Sequence, residues 1–294
     1  MLTRVLEEKS VATVDLHKYS QDRTTQVGGV QVRYWSEGSQ GSPVILIHGI
    51  GGYVENWWPN NRTLARQHRV FAVDLPGFGR SDKPVDAPYD MPYFATFVRD
   101  FMTALSLESA SLVGHSMGGG VALQTALTFP QKVSRLVLVD SAGLGREMNL
   151  VLRVASLPVL GEVVTRPSLE GSRSLIKAIV HDPALVIDED VRFDYEISIL
   201  PGAQRAFLKA LRSLANVSGQ KHTFTGPILD HLPAITQPTL VLWGRDDTVI
   251  PMKHADVARR IPDIRVRIFE HCGHMPQFEH PDDFDQVVQE FLAD

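Results

Sequence analysis

The amino-acid sequence predicts an α/β fold in which a mostly parallel central sheet is flanked by helices. Short apolar runs alternate along the chain with segments whose apolar residues recur at helical spacing. Most of the runs from Pro43 onward are apolar at nearly every position, which is typical of strands buried on both faces. The 294 residues are enough for a sizeable core, although length alone is compatible with one large domain or two smaller ones.

Seven apolar runs are predicted as strands. In chain order they are VQVRYW (30–35), PVILIHG (43–49), RVFAVDL (69–75), ASLVGH (110–115), VSRLVLVD (133–140), PTLVLWG (238–244) and IRVRIFE (264–270). Residues 94–105 and 284–292 show helical spacing, and the second segment follows Pro281-Asp282-Asp283, a favourable helix start. Strands and helices therefore alternate as an α/β fold requires.

The segment from about Leu144 to Asp230 interrupts this alternation. It shows no convincing strand, and residues 207–215 suggest one amphipathic helix. It is divided into short pieces by Pro158, Pro167, Pro183 and Pro201. An insertion of this length is typical of a functional element, and the alternative is an ordinary set of crossover helices. We therefore predict a first core part at 1–143, a helical cap at 144–230 and a second core part at 231–294.

The composition excludes several classes of partner. The formal net charge is −5 and the basic residues are scattered, which argues against a nucleic-acid partner or a polybasic membrane anchor. No apolar run approaches the length of a membrane span, and the charged N-terminus has no signal-peptide pattern. Because Cys272 is the single cysteine, no intrachain disulfide can form, and we expect a cytoplasmic protein without a membrane partner.

The stretch LVGHSMGGGVAL, residues 112–123, contains the pattern G-x-S-x-G around Ser116. It follows a predicted strand and begins a predicted helix, which is the context that makes the pattern meaningful. A sharp strand-to-helix turn presents the serine above the sheet edge, and bulky neighbours would clash there. The helix N-terminus adds N–H groups where an oxyanion would form. The alternative is a glycine-rich helix start with an incidental serine.

The other groups that a serine nucleophile needs follow later in the chain. Asp246 and Asp247 come directly after a predicted strand, and sequence order does not choose between them. Three histidines follow the last predicted strand: His271, His274 and His280. Both segments fall at the carboxyl ends of strands, where open α/β sheets place their sites. A serine needs a histidine to take its proton and an acid to orient that histidine, so this order predicts nucleophilic catalysis.

Five motifs carry a resemblance to a known family. They are HGIGG (48–52), DLPGFGRSDKP (74–84), GHSMGG (114–119), WGRDD (243–247) and CGHMPQFEHP (272–281). On these motifs the chain resembles the α/β-hydrolase fold serine hydrolases that carry a helical cap, over nearly its whole length. The motifs lie in separate parts of the sequence, so together they are specific for the fold.

The resemblance implies a role for individual residues. It implies a catalytic triad of Ser116, Asp247 and His274. It also implies that the backbone N–H groups of Ile50 and Met117 form the oxyanion hole. Neither a metal nor an organic cofactor is implied, and the expected partner is a small-molecule substrate. Whether the chain forms a homo-oligomer stays open.

For the reaction, we expect a serine hydrolase that cleaves a carboxylic ester or thioester of a small, largely apolar substrate through an acyl-enzyme. Relatives that dehalogenate or open epoxides usually carry aspartate where Ser116 stands, which counts against those activities. One alternative is hydrolysis of a carbon–carbon bond in ring-fission products of the 2-hydroxy-6-oxo-dienoate type. A second alternative is a non-catalytic binding member of the fold, and the complete triad counts against it.

The chain departs from the pattern of ring-fission hydrolases at two positions. Such hydrolases often carry asparagine where His115 stands and tryptophan where Met275 stands. They also tend to use a cap arginine for the substrate carboxylate. Several arginines lie in the predicted cap, and the sequence does not choose among Arg153, Arg166, Arg173, Arg192, Arg205 and Arg212.

Overall fold

The computed structural model describes residues 20–293; the N-terminal residues used for the signal-peptide prediction lie outside this range. The strands are β1 (Asp22–Val27), β2 (Val30–Glu37), β3 (Pro43–Ile47), β4 (Arg69–Val73), β5 (Ala110–His115), β6 (Val133–Val139), β7 (Ala215–Asn216), β8 (Gly219–Gln220), β9 (Thr239–Gly244) and β10 (Ile264–Phe269). All seven predicted strands are present, so the α/β prediction is confirmed.

The helices follow the strands in the expected alternation. They are α1 (Trp58–Leu64), α2 (Met91–Ala104), α3 (Met117–Thr128), α4 (Leu150–Ala155), α5 (Leu160–Val164), α6 (Leu169–Ile179), α7 (Asp188–Ser198), α8 (Ala203–Leu214), α9 (His222–His231), α10 (His254–Ala258), α11 (Pro276–Glu279) and α12 (Pro281–Ala293). Within residues 20–293, none of them is both long and apolar enough to cross a bilayer.

Eight of the strands form one sheet in the order β1-β2-β4-β3-β5-β6-β9-β10. β2 runs antiparallel to β1 and β4, and the other neighbours are parallel. The sequence did not predict β1, because its segment DRTTQV is mostly polar and exposed at the sheet edge. Parallel strands end at the same edge, so the loops after β3, β5, β6, β9 and β10 meet there.

The central strand β3 is buried on both faces of the sheet. Ile45 and Ile47 pack with residues of α2 and α3, whereas Val44 and Leu46 pack with residues of α1 and α12. All four side chains are fully buried. Burial of an aliphatic side chain of this size stabilises the fold by about 1.5–3 kcal/mol, which explains why the strand is apolar at successive positions.

The chain between β6 and β9 leaves the sheet to form α4 to α8, a hairpin of β7 and β8, and α9. The two hairpin strands have two residues each, which is too short to leave a strand pattern in the sequence. α9 returns to the sheet layer and packs on α3, where Phe224 approaches Gly120. The cap limits at residues 144 and 230 stay a prediction.

Candidate active site

Ser116 lies in the tight turn between β5 and α3. Its backbone has φ 54° and ψ −117°, a conformation that non-glycine residues rarely adopt. Such a conformation costs on the order of 1–3 kcal/mol and persists where the surrounding structure holds it. Here the Ser116 N–H donates to the carbonyl of Val139 at 2.8 Å, and the Ser116 carbonyl accepts from Ala142 at 2.9 Å. The turn is therefore fixed by β6 and the loop that follows it.

The glycines around Ser116 are explained by the close approach of the backbone. A Cβ atom at Gly114 would lie 2.3 Å from the carbonyl oxygen of Gly118. A Cβ atom at Gly118 would lie 2.2 Å from the carbonyl oxygen of Ile47 at the end of β3. Real Cβ atoms essentially never approach so closely, so a larger residue at either position would force β3, the turn and α3 apart.

His274 and Asp247 form a buried pair. The Nδ1–H of His274 donates to Asp247 Oδ2 at 2.8 Å, and both side chains are almost completely buried. The other oxygen of Asp247 accepts from the N–H groups of Val249 at 2.7 Å and Ile250 at 3.0 Å. Burial by itself would raise the pKa of Asp247, but the His274 imidazole and the two N–H donors lower it below its ordinary value. The carboxylate is thus held ionised against the imidazole.

The other aspartate and the other two histidines that the sequence offers lie outside this buried pair. Asp246 is exposed, and its carboxylate contacts His181 Nδ1 at 3.0 Å. His271 is exposed as well, and its carbonyl accepts a hydrogen bond from His280 Nε2 at 3.2 Å. Of the two aspartates and three histidines that the sequence offers, the structure therefore brings together Asp247 and His274.

His115 connects the loop of His274 to the turn of Ser116. Its Nε2–H donates to the carbonyl of His274 at 2.7 Å, and the two imidazole rings lie 4.8 Å apart. Burial, followed by the neighbouring His274 imidazole, lowers the pKa of His115 to about 3, so the ring is neutral at physiological pH. No hydrogen bond joins the Ser116 hydroxyl to His274 within residues 20–293. Such bonds commonly tighten only when substrate binds.

The backbone N–H groups of Ile50 and Met117 take no part in the hydrogen bonds of a helix or strand within residues 20–293. Met117 is the first residue of α3, so its N–H has no partner inside the helix. Ile50 lies in the loop after β3, which is braced by the Nδ1–H of His48 donating to the Gly49 carbonyl at 2.7 Å. Neither N–H donates to a protein acceptor in the described part of the chain. Both remain available to a substrate oxygen.

Ser116 lines a narrow cavity with a free volume of about 40 Å³. Its walls come from the sheet edge and from the insertion, and they are uncharged. The lining residues are Ile50, Ser116, Met117, Ala142, Met148, Leu152, Leu211, Leu214, Ala215, Gln220, Phe224, Val249 and Ile250. The six arginines that the sequence analysis named are absent from this lining. Four of them have acidic or carbonyl partners outside it: Arg173 pairs with Asp188, Arg212 pairs with Glu162, Arg205 donates to the Lys83 carbonyl, and Arg153 donates to the Val217 carbonyl.

Asp140 is a member of the site that the sequence interpretation missed. It follows β6 directly, is fully buried, and its Oδ1 accepts from the Gly244 N–H at 2.9 Å. One ligand atom from each of Asp140, Asp247 and His274 lies within 4.8 Å of the others. Burial, followed by the charge of Asp247, raises the pKa of Asp140 well above its ordinary value. The signal was its position at the carboxyl end of a predicted strand, close to the position that Asp246 and Asp247 have after theirs.

Comparisons with known proteins agree with this geometry. The family model described as alpha/beta hydrolase fold matches residues 42–161 and 198–281, and the stretch between them lies within α5 to α7. The chain is 34% identical over 277 residues to the 2-hydroxy-6-oxo-6-(2'-aminophenyl)hexa-2,4-dienoic acid hydrolase of Metapseudomonas resinovorans. That match covers 92% of this chain and 91% of the relative.

Two solved structures are similar over most of their length. A meta-cleavage product hydrolase from Pseudomonas fluorescens has a TM-score of 0.80 and 31% identity, covering 92% of this chain and 97% of that chain. A membrane phospholipase A has a TM-score of 0.79 and 29% identity, covering 94% of this chain and 86% of that chain. Both support the same arrangement of sheet and helices.

Proposed function

The chain belongs to the α/β-hydrolase fold family and is a hydrolase; from this premise we propose that it cleaves carboxylic esters or thioesters with a largely apolar acyl group. Ser116 is the proposed nucleophile, His274 the base and Asp247 the acid. The buried hydrogen bond between His274 and Asp247, and the strained turn that presents Ser116, support these assignments.

The observation that carries the choice of substrate is the uncharged cavity at Ser116. Only Ser116 and Gln220 contribute polar side chains to its lining. The side chain of Gln220 already has hydrogen-bond partners, because its Oε1 accepts from the Gly143 N–H at 2.8 Å and its amide donates to the Glu147 carbonyl. The chemistry of this lining suits an apolar acyl group, whereas a carboxylate would be buried there without a cation.

The proposed reaction proceeds in two halves. His274 Nε2 takes the proton of the Ser116 hydroxyl as its oxygen attacks the carbonyl carbon, and Asp247 stabilises the imidazolium. The N–H groups of Ile50 and Met117 hold the oxyanion, and His274 then gives its proton to the departing alkoxide or thiolate. Water, activated by the same imidazole, hydrolyses the acyl-enzyme and frees Ser116.

Asp140 is proposed to carry a proton while Asp247 is ionised. Two carboxylates in one buried site cannot both ionise cheaply. Asp247 has the imidazole and two N–H donors, whereas Asp140 accepts from the Gly244 N–H. A protonated Asp140 offers an O–H toward the negative charge of Asp247 and adds no second charge beside His274. It is therefore a positioning residue for the acid.

The second candidate is carbon–carbon bond hydrolysis of ring-fission products. The names of the Metapseudomonas resinovorans relative and of the meta-cleavage product hydrolase favour this candidate more directly than they favour ester hydrolysis. Its substrates carry a carboxylate beside the reacting dienone. The uncharged cavity is the reason that we place it second. The hydrolase relatives leave the non-catalytic alternative without support.

A substrate panel tests the choice. Purified protein is assayed with 4-nitrophenyl acetate, butyrate, octanoate and palmitate, and in parallel with 2-hydroxy-6-oxo-6-phenylhexa-2,4-dienoate. Ser116→Ala gives the background for each compound. We expect the best ester to exceed the dienoate in kcat/KM by about tenfold or more, corresponding to about 1.4 kcal/mol of transition-state binding. A dienoate that is the better substrate in the wild type, and inert with Ser116→Ala, would establish the second candidate instead.

A further inference from the structure

A second group of side chains that suit a metal ion lies on the outer side of the loops that carry Asp247 and His274. His181, Asp246 and His271 each present one nitrogen or oxygen, and these three atoms lie within 4.8 Å of one another. His181 Nδ1 and Asp246 Oδ2 are 3.0 Å apart, and the rings of His181 and His271 have centroids 5.6 Å apart. All three residues are exposed.

We propose that His181, Asp246 and His271 form a binding site for a divalent transition-metal ion of the Zn²⁺ type. Two imidazoles and one carboxylate are a ligand set that proteins use for zinc, with water completing the tetrahedron. Zinc bonds such atoms at about 2.0–2.2 Å, so its ligands lie roughly 3.4 Å apart. Exposed side chains reach that spacing by small rotations about their own χ angles.

The charges around the three residues favour a cation. Asp182 and Glu279 line the same open cleft as His181 and His271. Arg245, which precedes Asp246 in the chain, is paired with Glu270 through contacts of 2.5 and 2.6 Å. A metal ion would therefore enter a cleft whose neighbouring positive charge is already balanced.

The site would join the insertion to the catalytic loops. His181 lies two residues after α6, Asp246 precedes the proposed acid, and His271 lies three residues before the proposed base. The same segments are already in close contact, since the N–H of His274 donates to the Ile179 carbonyl at 2.7 Å. A metal ion bound by all three segments would add a cross-link beside the active site, and it would bind the folded chain in preference to the unfolded one.

Two substitutions remove one ligand each with little effect on folding. His271 has φ 52°, a conformation that asparagine tolerates well, so His271→Asn keeps the turn and removes the imidazole. His181→Asn makes the same change on the insertion. The matched control is His280→Asn, because His280 lines the same cleft but is not one of the three clustered residues.

The test uses chelator-treated protein and ZnCl₂ alone, followed by isothermal titration calorimetry and thermal unfolding. We expect one Zn²⁺ per wild-type chain and a zinc-dependent rise of the unfolding midpoint. Both ligand variants should bind about tenfold or more weakly and lose the rise in midpoint. His280→Asn should behave like the wild type. Equal binding by the wild type and both ligand variants would overturn the proposal. So would binding that is lost only on His274→Ala, because that result would locate the metal among Asp140, Asp247 and His274.

Discussion

Asp246 and Asp247 are neighbours in the chain and lie in opposite surroundings. The side chain of Asp247 is 0% exposed and faces His274, whereas that of Asp246 is 45% exposed and faces His181. Successive residues that leave a strand point to different sides, and here one side is the dry edge of the sheet. The same residue type therefore serves a buried triad on the inner side and an open cluster on the outer side.

The largest expected effect is on turnover, when one carboxylate oxygen of each aspartate is replaced by an amide nitrogen. Asp247→Asn leaves His274 with the wrong tautomer, and we expect turnover of the best ester to fall by about 10⁴. Asp246→Asn is the matched control, and its turnover should stay within about threefold because the Asp246 side chain contacts His181 and not His274. Steady-state kinetics measure both, and circular dichroism verifies the fold. The reverse order of effects would make Asp246 the acid.

The pH dependence of the free energy of unfolding gives a second test of the comparison, through the buried ring of His115 on the inner side. Burial lowers the pKa of His115 from 6.5 to about 3, so the folded protein holds this ring neutral. The unfolded chain takes up the proton first as pH falls, and stability should be lost between pH 6.5 and 3, by up to about 4–5 kcal/mol.

His115→Asn removes that titration and keeps an amide able to donate to the His274 carbonyl. Urea unfolding of the wild type and the variant at a series of pH values should give a flatter profile for the variant. Parallel slopes in the wild type and His115→Asn would contradict the assignment of a neutral buried ring.

A substitution in the wall of the cavity should have a smaller effect, on the preferred length of the acyl group. Leu211 on α8 lines the cavity and is buried, so Leu211→Phe should fill part of the space for the acyl chain. We expect the ratio of octanoate to acetate hydrolysis to fall by about tenfold, as expected when a few methylenes lose their place. Val163→Phe on the exposed face of α5 is the control. An unchanged ranking of esters in Leu211→Phe would remove this helix from substrate selection.

The smallest expected effect concerns Asp140. Replacing this buried residue should raise the free energy of unfolding at neutral pH, whereas replacing a buried residue usually lowers it. Burial raises its pKa, so its contribution to stability is present below the unfolded pKa of 3.8 and is lost as pH rises. Asp140→Asn should therefore stabilise the protein at neutral pH, on the order of 1–3 kcal/mol, with a gain that shrinks toward pH 4.

Thermal unfolding at several pH values measures this gain. Turnover should fall by less than about tenfold, since the amide still donates toward Asp247. Asp140→Leu provides the control that cannot donate, and its turnover should be lower than that of Asp140→Asn. Destabilisation of Asp140→Asn at neutral pH would mean that Asp140 is ionised in the folded protein.

The sequence was sufficient for the central sheet and for the strand-to-helix turn. Fully buried strands such as β3 leave an unbroken apolar run, and a backbone as tight as that around Ser116 requires glycines. The edge strand β1 escaped because exposed residues carry no apolar pattern. Hydrogen bonding to a neighbour, rather than its own side chains, makes it a strand.

The site could be predicted only where a motif spans it. The pattern around Trp243 separated Asp247 from Asp246 through resemblance, whereas Asp140 carried no motif and was missed. His181 could not have been placed near Asp246, because the contact depends on how the insertion folds back onto the loops after β9 and β10. The uncharged lining of the cavity likewise depends on the packing of α4 and α8 beside Ser116. Tertiary packing decides these features, and single-sequence periodicity does not report it.

The central claim is that Ser116 is the one activated nucleophile on the inner side of these loops. The most direct measurement is labelling with a 4-nitrophenyl alkylphosphonate, followed by intact mass spectrometry and peptide mapping. Activation of Ser116 by His274 predicts a single adduct per chain, located on Ser116, absent in Ser116→Ala and much slower to form in His274→Ala. Labelling of Ser116→Ala to the same extent as the wild type would contradict the claim.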